Sequence, residues 1–338
     1  MLIKYKSINL PFTYPFTISK GTKTHQPSLL VELESFGIKG YGESPAIIHY
    51  DITVDKMIAD LETKRPFIEK FAFTNPDRYW HYLHHLFPRN PFLVCALDMA
   101  GWDLYGKQKK KQLYSLWGLD ISKNPVTDYT IGIDTVENMV GKMKEKPWPV
   151  YKIKLGTHND VEIITALRKH TSSVFRIDAN AAWQAKEALE KIQAFEKLDV
   201  EFIEQPLAKD DWEGMEFLFK NSPLPLIADE SCVAEQDVEK CHGHFHGINI
   251  KLTKCSGITP ALRMITKARE LSMKVMVGSM NESSIGTGAI AQLLPLIDYA
   301  DMDGPLLLAE DVAEGVTFED GKILYKNYNG IGVSVTPF

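Results

Sequence analysis

The stretch that decides the fold is Val150–Leu155, which reads Val-Tyr-Lys-Ile-Lys-Leu. Its apolar residues predict a short buried strand, and side chains two positions apart on a strand point to the same face. Lys152 and Lys154 therefore project together, although two neighbouring ammonium groups repel each other and are costly to bury. Taken alone, the pattern also fits an edge strand with a solvated lysine face. The sequence that follows decides between these two interpretations.

Four further apolar runs end in a charged residue. Three of them end in an acid, at Asp178, Glu204 and Asp229, and the fourth ends in Lys251. Counted from Lys154, the successive intervals are 24, 26, 25 and 22 residues, which is about the length of one strand, one helix and two loops. Repeated strand–helix units with functional groups at the strand ends are typical of a parallel barrel whose active site lies at the C-terminal ends of its strands.

Composition narrows the classes of function. The chain has 338 residues, a hydrophobic content of 44%, a charged content of 24% and a formal net charge of -6, which is ordinary for a barrel with a smaller domain. Because there is no basic block, we do not expect nucleic acid or an anionic membrane as the main partner. No apolar run reaches the roughly 18 residues of a membrane span, and the first residues do not resemble a signal peptide. The four cysteines form no Cys-x-x-Cys pair, so we expect a reduced, cytoplasmic protein.

The periodicity predicts three parts. Residues 1–124 form an α+β domain of short strands followed by helices that prolines punctuate. Residues 125–315, after Asn124-Pro125, contain eight strands and seven helices, and the eighth helix is missing or replaced. Residues 316–338 form strands that return to the first domain. The fold class is therefore α/β, a (β/α)7β modified TIM barrel with an α+β N-terminal domain. The eight strands are expected near Thr127–Gly132, Val150–Leu155, Ser173–Asp178, Phe202–Glu204, Leu226–Asp229, Gly247–Lys251, Lys274–Gly278 and Tyr299–Asp301.

Asp178, Glu204 and Asp229 would meet at the mouth of such a barrel. Three carboxylates in one pocket repel strongly unless a cation joins them. All-oxygen ligands favour a hard ion, and three carboxylates with water and substrate suit octahedral Mg²⁺, whereas zinc usually takes His or Cys. Alternatively, each acid could cap a helix. That alternative accounts for any one acid alone, but less well for three at even spacing.

Lysines flank these acids in barrel order, Lys154 on the second strand and Lys251 on the sixth strand across the barrel. Amines on opposite sides of a substrate can remove a proton from one face of a carbon and return one to the other face. A carbon next to a carboxylate is a weak acid, and Mg²⁺ on that carboxylate can stabilise an enediolate. Lys152 and the cation would lower the pKa of Lys154, as a base near neutral pH requires.

These residues resemble the signature of the enolase superfamily, in its muconate-lactonizing-enzyme-like subgroup, over nearly the whole chain. The resemblance implies that Lys154 and Lys251 are the two acid/base residues and that Lys152 assists the substrate carboxylate. It also implies that the N-terminal domain and the tail form a capping domain over the barrel mouth. It does not select the reaction, since racemisation, cycloisomerisation and dehydration use the same residues. The matching segments are Lys152-Ile153-Lys154, Asp178-Ala179-Asn180, Glu204-Gln205-Pro206, Asp229-Glu230-Ser231 and Lys251.

Asp301 and Asp303 lie on one face at the end of the eighth strand. Two further carboxylates need a cation of their own, and a substrate ammonium is a natural candidate. This Asp-x-Asp resembles the feature with which dipeptide epimerases of the family hold the N-terminus of a dipeptide. The resemblance implies a dipeptide with its carboxylate on Mg²⁺, its ammonium on the two aspartates and its second α-carbon between the lysines. A turn in which Asp303-Gly304 reverses the chain is the alternative.

The preference for particular side chains would come from the polar loop Ile18–Thr24. Epimerases of Ala-Glu dipeptides have an arginine there, whereas this sequence has Gly21 at that place, with Lys20 and Lys23 nearby. We therefore expect a neutral or hydrophobic second residue.

The sequence thus predicts a Mg²⁺-dependent dipeptide epimerase that inverts the second α-carbon by two-base 1,1-proton transfer through an enediolate. Thr130, Ser279 and Met280 resemble positions at which that group contacts its substrate. An o-succinylbenzoate synthase or muconate-type cycloisomerase of the same subgroup is the alternative enzyme. A barrel that binds an amino-acid-like ligand without turnover is the alternative of another class. Analogy with the family suggests a homo-oligomer.

Overall fold

The computed structural model describes residues 1–18 and 21–336. The pairing of the first two strands continues to their ends, Ile18 lying opposite Gly21. The loop predicted over Ile18–Thr24 is therefore wrong at Ile18 and from Gly21 onward, because these residues belong to strands. The β-branched Thr22 and Thr24 favour a strand. Lys20 lies outside the described residues. The N-terminal sheet is antiparallel and consists of β1 (Leu2–Ile18), β2 (Gly21–Ser35) and β3 (Ile38–Pro45).

Four helices follow this sheet. Asn75 and Asn90 cap the second and third of them through their side chains, and each is followed by a proline at the first helical position, where a missing N–H does no harm. The third helix is buried on nearly all sides, because it packs between β3 and the helices of the barrel. The four are α1 (Val54–Lys70), α2 (Pro76–Leu86), α3 (Pro91–Gln108) and α4 (Leu113–Leu116).

Eight parallel strands form the predicted barrel. They are β4 (Tyr129–Ile131), β5 (Val150–Lys154), β6 (Val174–Asp178), β7 (Val200–Glu204), β8 (Leu226–Ala228), β9 (Gly247–Ile250), β10 (Lys274–Gly278) and β11 (Tyr299–Asp301). Each strand pairs with its neighbours in sequence, and a bridge between Thr127 and Ala300 closes the sheet. The fold class is confirmed, and the strand ends lie within two residues of the predicted ones.

Helices follow the strands on the outside of the barrel. They are α5 (Val136–Glu145), α6 (Asp160–Arg168), α7 (Ala185–Glu196), α8 (Trp212–Asn221), α9 (Asp237–Cys241), α10 (Leu252–Cys255), α11 (Ile258–Glu270), α12 (Ser284–Ala291) and α13 (Gly304–Leu307). The last strand is followed by the single turn α13 rather than by a full barrel helix, as the (β/α)7β pattern predicts. Among residues 1–18 and 21–336, no helix has both the length and the apolar character needed to span a membrane.

Apolar side chains position the functional end of the barrel. On β5, Tyr151 and Ile153 pack in the core between strands and helices, so the lysines that alternate with them face the interior. Inside the barrel, Phe202, Ile227 and Met276 form an apolar cluster. They lie two positions before Glu204, Asp229 and Gly278, the residues at the C-terminal rim of the same strands. Because side chains two positions apart share a face, this cluster forms the layer directly below the rim. Polar side chains are therefore collected in the layer above, at the C-terminal rim.

The tail returns to the N-terminal part of the chain. Ile331 N donates a hydrogen bond of 3.0 Å to Asp103 on α3, and Tyr41 N on β3 donates one of 2.8 Å to the same buried carboxylate. One side chain thus joins the tail, a cap helix and a cap strand. The three-part division of the chain stays a prediction. The tail strands are β12 (Ala313–Glu314), β13 (Thr317–Glu319), β14 (Lys322–Leu324) and β15 (Ser334–Val335).

Candidate active site

Charged side chains meet at the C-terminal rim of the barrel. Lys154, Asp178 and Glu204 lie opposite one another in the parallel register of β5, β6 and β7, and Asp229 directly follows β8. Because adjacent parallel strands end at the same rim, the position of each residue at the end of its strand is enough to bring this row together.

The three carboxylates are buried and affect one another electrostatically. Burial raises the pKa of Glu204 to about 7, and the negative charges of Asp178 and Asp229 contribute to the rise. Asn249 Nδ2 donates to Glu204 Oε1 at 2.8 Å, and Asn180 N donates to Asp178 Oδ1 at 2.9 Å. The structure therefore holds these carboxylates in fixed orientations, with a crowding of negative charge that a cation relieves.

Lys152 occupies the centre of this row. Its Nζ lies 2.7 Å from Glu204 Oε2, 3.2 Å from Asp178 Oδ2 and 2.7 Å from Asp301 Oδ2. Burial favours the neutral amine, but the three carboxylates outweigh burial and hold the pKa of Lys152 well above its usual value. The side chain is therefore a permanent cation at the rim.

Lys154 and Lys251 line one cavity from strands on opposite sides of the barrel. Lys154 Nζ lies 2.6 Å from Asp178 Oδ2, and Lys251 Nζ lies 3.0 Å from Asp229 Oδ2. Burial favours the neutral form of Lys251, but the charge of Asp229 outweighs it and raises the pKa of this lysine. At Lys251 the adjacent carboxylate, rather than repulsion between amines, therefore decides the protonation balance.

The carboxylates fit a hard divalent ion by their chemistry. Within the described ranges 1–18 and 21–336, no group of three or more His, Cys, Asp or Glu side chains is arranged as a ready-made metal site. The carboxylates face lysines instead, Asp178 facing Lys154 and Asp229 facing Lys251. Nevertheless, Asp178, Glu204 and Asp229 place buried carboxylate oxygens on one rim, and the raised pKa of Glu204 reflects first its burial and then the negative charges of Asp178 and Asp229. Such a donor set suits Mg²⁺.

Asp301 and Asp303 line the same cavity. Lys152 contacts the first of them, and Thr130 N donates to Oδ2 of the second at 2.6 Å. Burial and the charge of Asp301 raise the pKa of Asp303 to about 7. Asp303 directly precedes α13, but its side chain does not cap that turn. The turn alternative therefore explains the backbone at this position and not the direction of the carboxylate.

The loop after β10 and the N-terminal sheet complete the walls. Ser279 and Met280 line the cavity, and Ser279 N donates to Asp301 O at 2.8 Å. From the N-terminal part, Phe16 and Lys23 reach the same cavity. Burial lowers the pKa of Lys23. Both parts of the chain therefore form the binding space.

Sequence reasoning missed two side chains that hold the carboxylates. Asn249 orients Glu204, as described above. Lys254 is buried and donates to Asp229 O at 2.6 Å and also to Asp229 Oδ1. The position of each residue relative to Lys251 could have indicated its place at the rim. Asn249 lies two positions before Lys251, on the same side of the extended chain, and Lys254 follows Lys251 by three positions in a helical turn.

Comparisons with known proteins agree with this architecture. The mandelate racemase/muconate lactonizing enzyme N-terminal domain matches residues 3–118, and the enolase C-terminal domain-like family matches residues 134–337. The chain is 51% identical to an L-Ala-D/L-amino acid epimerase of Flavobacterium johnsoniae over 335 residues, which cover 99% of this chain and 100% of that protein. It is 52% identical to another of that name from Maribacter sp. over 336 residues, which cover 99% of each chain.

A solved structure of a dipeptide epimerase from Enterococcus faecalis, complexed with Mg and the dipeptide L-Leu-L-Tyr, is also similar. Its TM-score is 0.90 at 29% sequence identity, and the match covers 98% of this chain and 99% of that one. The chain therefore belongs to the mandelate racemase/muconate lactonizing enzyme family of the enolase superfamily.

Proposed function

We propose that this chain is a Mg²⁺-dependent dipeptide epimerase, an isomerase that inverts the α-carbon of the second residue by two-base 1,1-proton transfer. The observation that carries the proposal is one cavity lined by Lys154 and Lys251 from opposite sides and by the carboxylates of Asp301 and Asp303. Amines on both faces of a carbon suit its inversion, and a further pair of carboxylates suits a substrate with an ammonium group. The epimerases of Flavobacterium johnsoniae, Maribacter sp. and Enterococcus faecalis support this reaction class.

In this proposal Asp178, Glu204 and Asp229 hold Mg²⁺, which the magnesium in the Enterococcus faecalis complex supports. When bound, the ion supplies positive charge to the substrate carboxylate and makes the adjacent α-proton more acidic. Asn249 keeps the carboxylate of Glu204 oriented, and Lys254 does the same for the carboxylate of Asp229.

Lys154 and Lys251 move the proton. The amine on one face takes the α-proton, and the ammonium on the other face returns a proton, so that the configuration inverts. Lys152 offsets the charge that develops on the substrate carboxylate as the enediolate forms. Burial strengthens each of these interactions, because the surroundings screen charge less than water does.

The two ends of the dipeptide are held differently. Asp301 and Asp303 bind its ammonium group, and the N–H of Thr130 keeps Asp303 in place. Ser279 and Met280 contact the peptide between the two ends. This arrangement also separates the proposal from the alternatives, because muconate-type and succinylbenzoate substrates have no ammonium for Asp301 and Asp303.

The second residue of the substrate is neutral or hydrophobic in this proposal. Phe16, Ile47, Tyr50 and Met280 give the cavity an apolar wall. Lys23 also lines the cavity, where an acidic side chain could approach it, so acidic dipeptides belong in any test of substrate range.

The four cysteines of the chain are all free and buried, which supports a cytoplasmic location. We also propose a homo-oligomer, on analogy with the family alone. Light scattering coupled to size-exclusion chromatography measures the mass directly, and the mass of a single chain at micromolar concentration would disprove it.

The test is a screen of L,L- and L,D-dipeptides in deuterated water, read by a mass increase at the second α-carbon. Lys154→Ala and Lys251→Ala should each lower epimerisation by about 10²–10⁴-fold, as expected for loss of an acid/base group. Each variant should still exchange the α-proton of one stereoisomer only, because each lysine faces one side of that carbon. Lys191→Ala is the matched control, since Lys191 is a buried lysine paired with Asp160 at 2.9 Å outside this cavity.

If each variant exchanges the α-proton without epimerisation, and the two variants do so with opposite stereoisomers, the result would support a mechanism with two acid/base lysines. Turnover by both variants at the parental rate would show that the mechanism is wrong. Loss of water or ring closure, without exchange, would instead favour the alternative enzyme classes.

A further inference from the structure

We propose that Glu282 is a positioning residue that holds Met280 in the wall of the active-site cavity. Glu282 lies at the boundary between the N-terminal sheet and the barrel. The inference rests on the proposed function, in which Met280 contacts the peptide. Glu282 itself does not line the cavity, so it acts through its neighbour.

Glu282 has one visible partner in the active-site loop. Its side chain is 2% exposed, and Oε1 accepts a hydrogen bond of 3.1 Å from Met280 N. Between these two residues, Asn281 has a φ of 117°, a backbone conformation that is strained for any residue with a side chain. Strain of this kind persists only where the surrounding contacts determine the conformation. The hydrogen bond from Met280 N to Glu282 spans Asn281 and is one such contact.

Two glycines pack against Glu282, Gly286 against its carboxyl group and Gly304 against its backbone. A Cβ at Gly286 would lie 2.1 Å from Oε2, and a Cβ at Gly304 would lie 2.6 Å from the backbone oxygen of Glu282. Oε2 itself is buried without a hydrogen-bond partner in the described structure. Gly286 therefore leaves the space that the carboxyl group occupies, and the unpaired Oε2 costs free energy in that position.

The same loop is held from the other side by Glu43 on β3. This fully buried carboxylate accepts hydrogen bonds from Ser283 N at 3.1 Å and from Gly286 N at 3.2 Å, and also from Ser283 Oγ. Glu282 and Glu43 therefore accept hydrogen bonds from adjacent parts of one loop. The position of the N-terminal sheet on the barrel is therefore coupled to the position of Met280 in the wall of the cavity.

The charged groups around Glu282 and Glu43 should make the conformation of this loop depend on pH. Burial and the nearby charge of Glu43 raise the pKa of Glu282 to about 8, and burial raises the pKa of Glu43 to about 7. Lys251 opposes the rise at Glu282, Asp311 adds to the rise at Glu43, and Cys95 faces both acids. As the pH rises from 7 to 9, two buried carboxylates gain charge next to each other, and the loop should loosen.

The experiment compares Glu282→Ala and Glu282→Gln with the matched controls Asp98→Ala and Asp98→Asn. Asp98 is an equally buried carboxyl group at another joint between the two parts, where it accepts hydrogen bonds from Thr259, and neither residue lines the cavity. Two readouts are used: hydrogen–deuterium exchange of the segment 279–283 without substrate, and kcat and KM from pH 6 to 9 for the dipeptide that the screen selects.

We expect Glu282→Ala to raise KM by about tenfold, with kcat within about threefold, and to speed exchange in the segment by about tenfold, as loss of one buried hydrogen bond predicts. Glu282→Gln keeps the acceptor and cannot ionise. Its KM should stay within about threefold of the parent at pH 7 and remain flat to pH 9, where the parental KM rises. The Asp98 variants should change neither the KM profile nor exchange in this segment.

Equal effects of Glu282→Ala and Asp98→Ala on KM would overturn the inference, because they would indicate a general loss of packing. If Glu282→Ala does not fold, a KM that rises with pH in Glu282→Gln as it does in the parent overturns it as well. If the parent turns over no dipeptide, the proposed function fails separately. The exchange measurement then decides alone, and unchanged exchange in both Glu282 variants would refute the positioning role.

Discussion

At the scale of single residues, some charged groups of the rim are oriented by neutral ones. Asn249 is such a group. Its amide donates to Glu204 Oε1 at 2.8 Å from a fully buried position. The Asn249 side chain carries no net charge. Its replacement therefore changes the orientation of the Glu204 carboxylate without changing the net charge of the rim. This makes Asn249 a clean probe of the proposed metal site.

We predict that Asn249→Leu weakens Mg²⁺ binding by about 10–100-fold, the usual cost of losing a group that orients a metal ligand. Isothermal titration calorimetry measures the dissociation constant directly. Asn90→Leu is the matched control, because Asn90 is also buried and its Nδ2 donates to Asp60 at 2.8 Å, but in the N-terminal helices. Asn90→Leu should lower stability and leave Mg²⁺ affinity unchanged. Equal affinities of Asn249→Leu and the parent would argue against Glu204 as a ligand.

At the scale of elements, buried carboxyl groups join helices that are distant in sequence. Asp98 on α3 accepts hydrogen bonds of 3.0 Å and 2.7 Å from the backbone and hydroxyl of Thr259 on α11. Burial raises the pKa of Asp98 to about 7. The folded protein therefore binds this proton more tightly than the unfolded chain does. The resulting stabilisation is complete below the unfolded pKa of about 4 and is lost as the pH rises through about 7.

We predict that Asp98→Asn removes this part of the pH dependence. Between pH 5 and pH 8, the free energy of unfolding should fall by about 2–3 kcal/mol less in the variant than in the parent, since one pKa unit corresponds to about 1.4 kcal/mol. Urea unfolding at four pH values measures the difference. Asp77→Asn serves as the control because Asp77 is largely exposed, and its curve should parallel that of the parent. A parallel curve for Asp98→Asn would mean that Asp98 is ionised throughout.

At the scale of the whole molecule, one apolar cluster spans the N-terminal part and the barrel, beside a second cluster within the N-terminal part. Leu30, Tyr41 and Trp102 from the N-terminal part belong to the same cluster as Ile153 and Phe175 from the barrel. Hydrogen bonds from Trp80 Nε1 to Ser256 O at 3.0 Å and from Trp102 Nε1 to Thr259 Oγ1 at 2.9 Å cross the same boundary. Ligand binding at the rim should therefore stabilise the chain as a whole.

We predict that Mg²⁺ at 100 times its dissociation constant stabilises the protein by about 2.7 kcal/mol, which corresponds to a rise in Tm of about 3–5 °C for a chain of this size. Differential scanning calorimetry with Mg²⁺ and with EDTA measures the shift. Asp178→Asn should abolish it, whereas Asp298→Asn, at the opposite end of the barrel strands, should keep it. A shift of the same size in Asp178→Asn would place the ion elsewhere.

The sequence by itself determined the order of the elements and the members of the central row. Lys154, Asp178 and Glu204 each end an apolar run, and parallel strands of similar length must bring their ends to one rim. The family and the fold class followed from this pattern and are confirmed. The roles of the individual site residues stay predictions, because their geometry is compatible with the roles and does not test them.

Only the tertiary structure decided which side chains meet across the barrel and across the boundary between the N-terminal sheet and the barrel. Lys152 contacts Asp301 over 149 positions of sequence, and Glu43 contacts Ser283 over 240. Neither pair leaves a periodic trace, because the geometry of a local strand or helix does not depend on a partner so far along the chain. The charge balance at Lys251 was decided in the same way, since its pKa reflects carboxylates that other strands supply. A pattern of single strands can place charges on a rim, but only the closed barrel sets their distances.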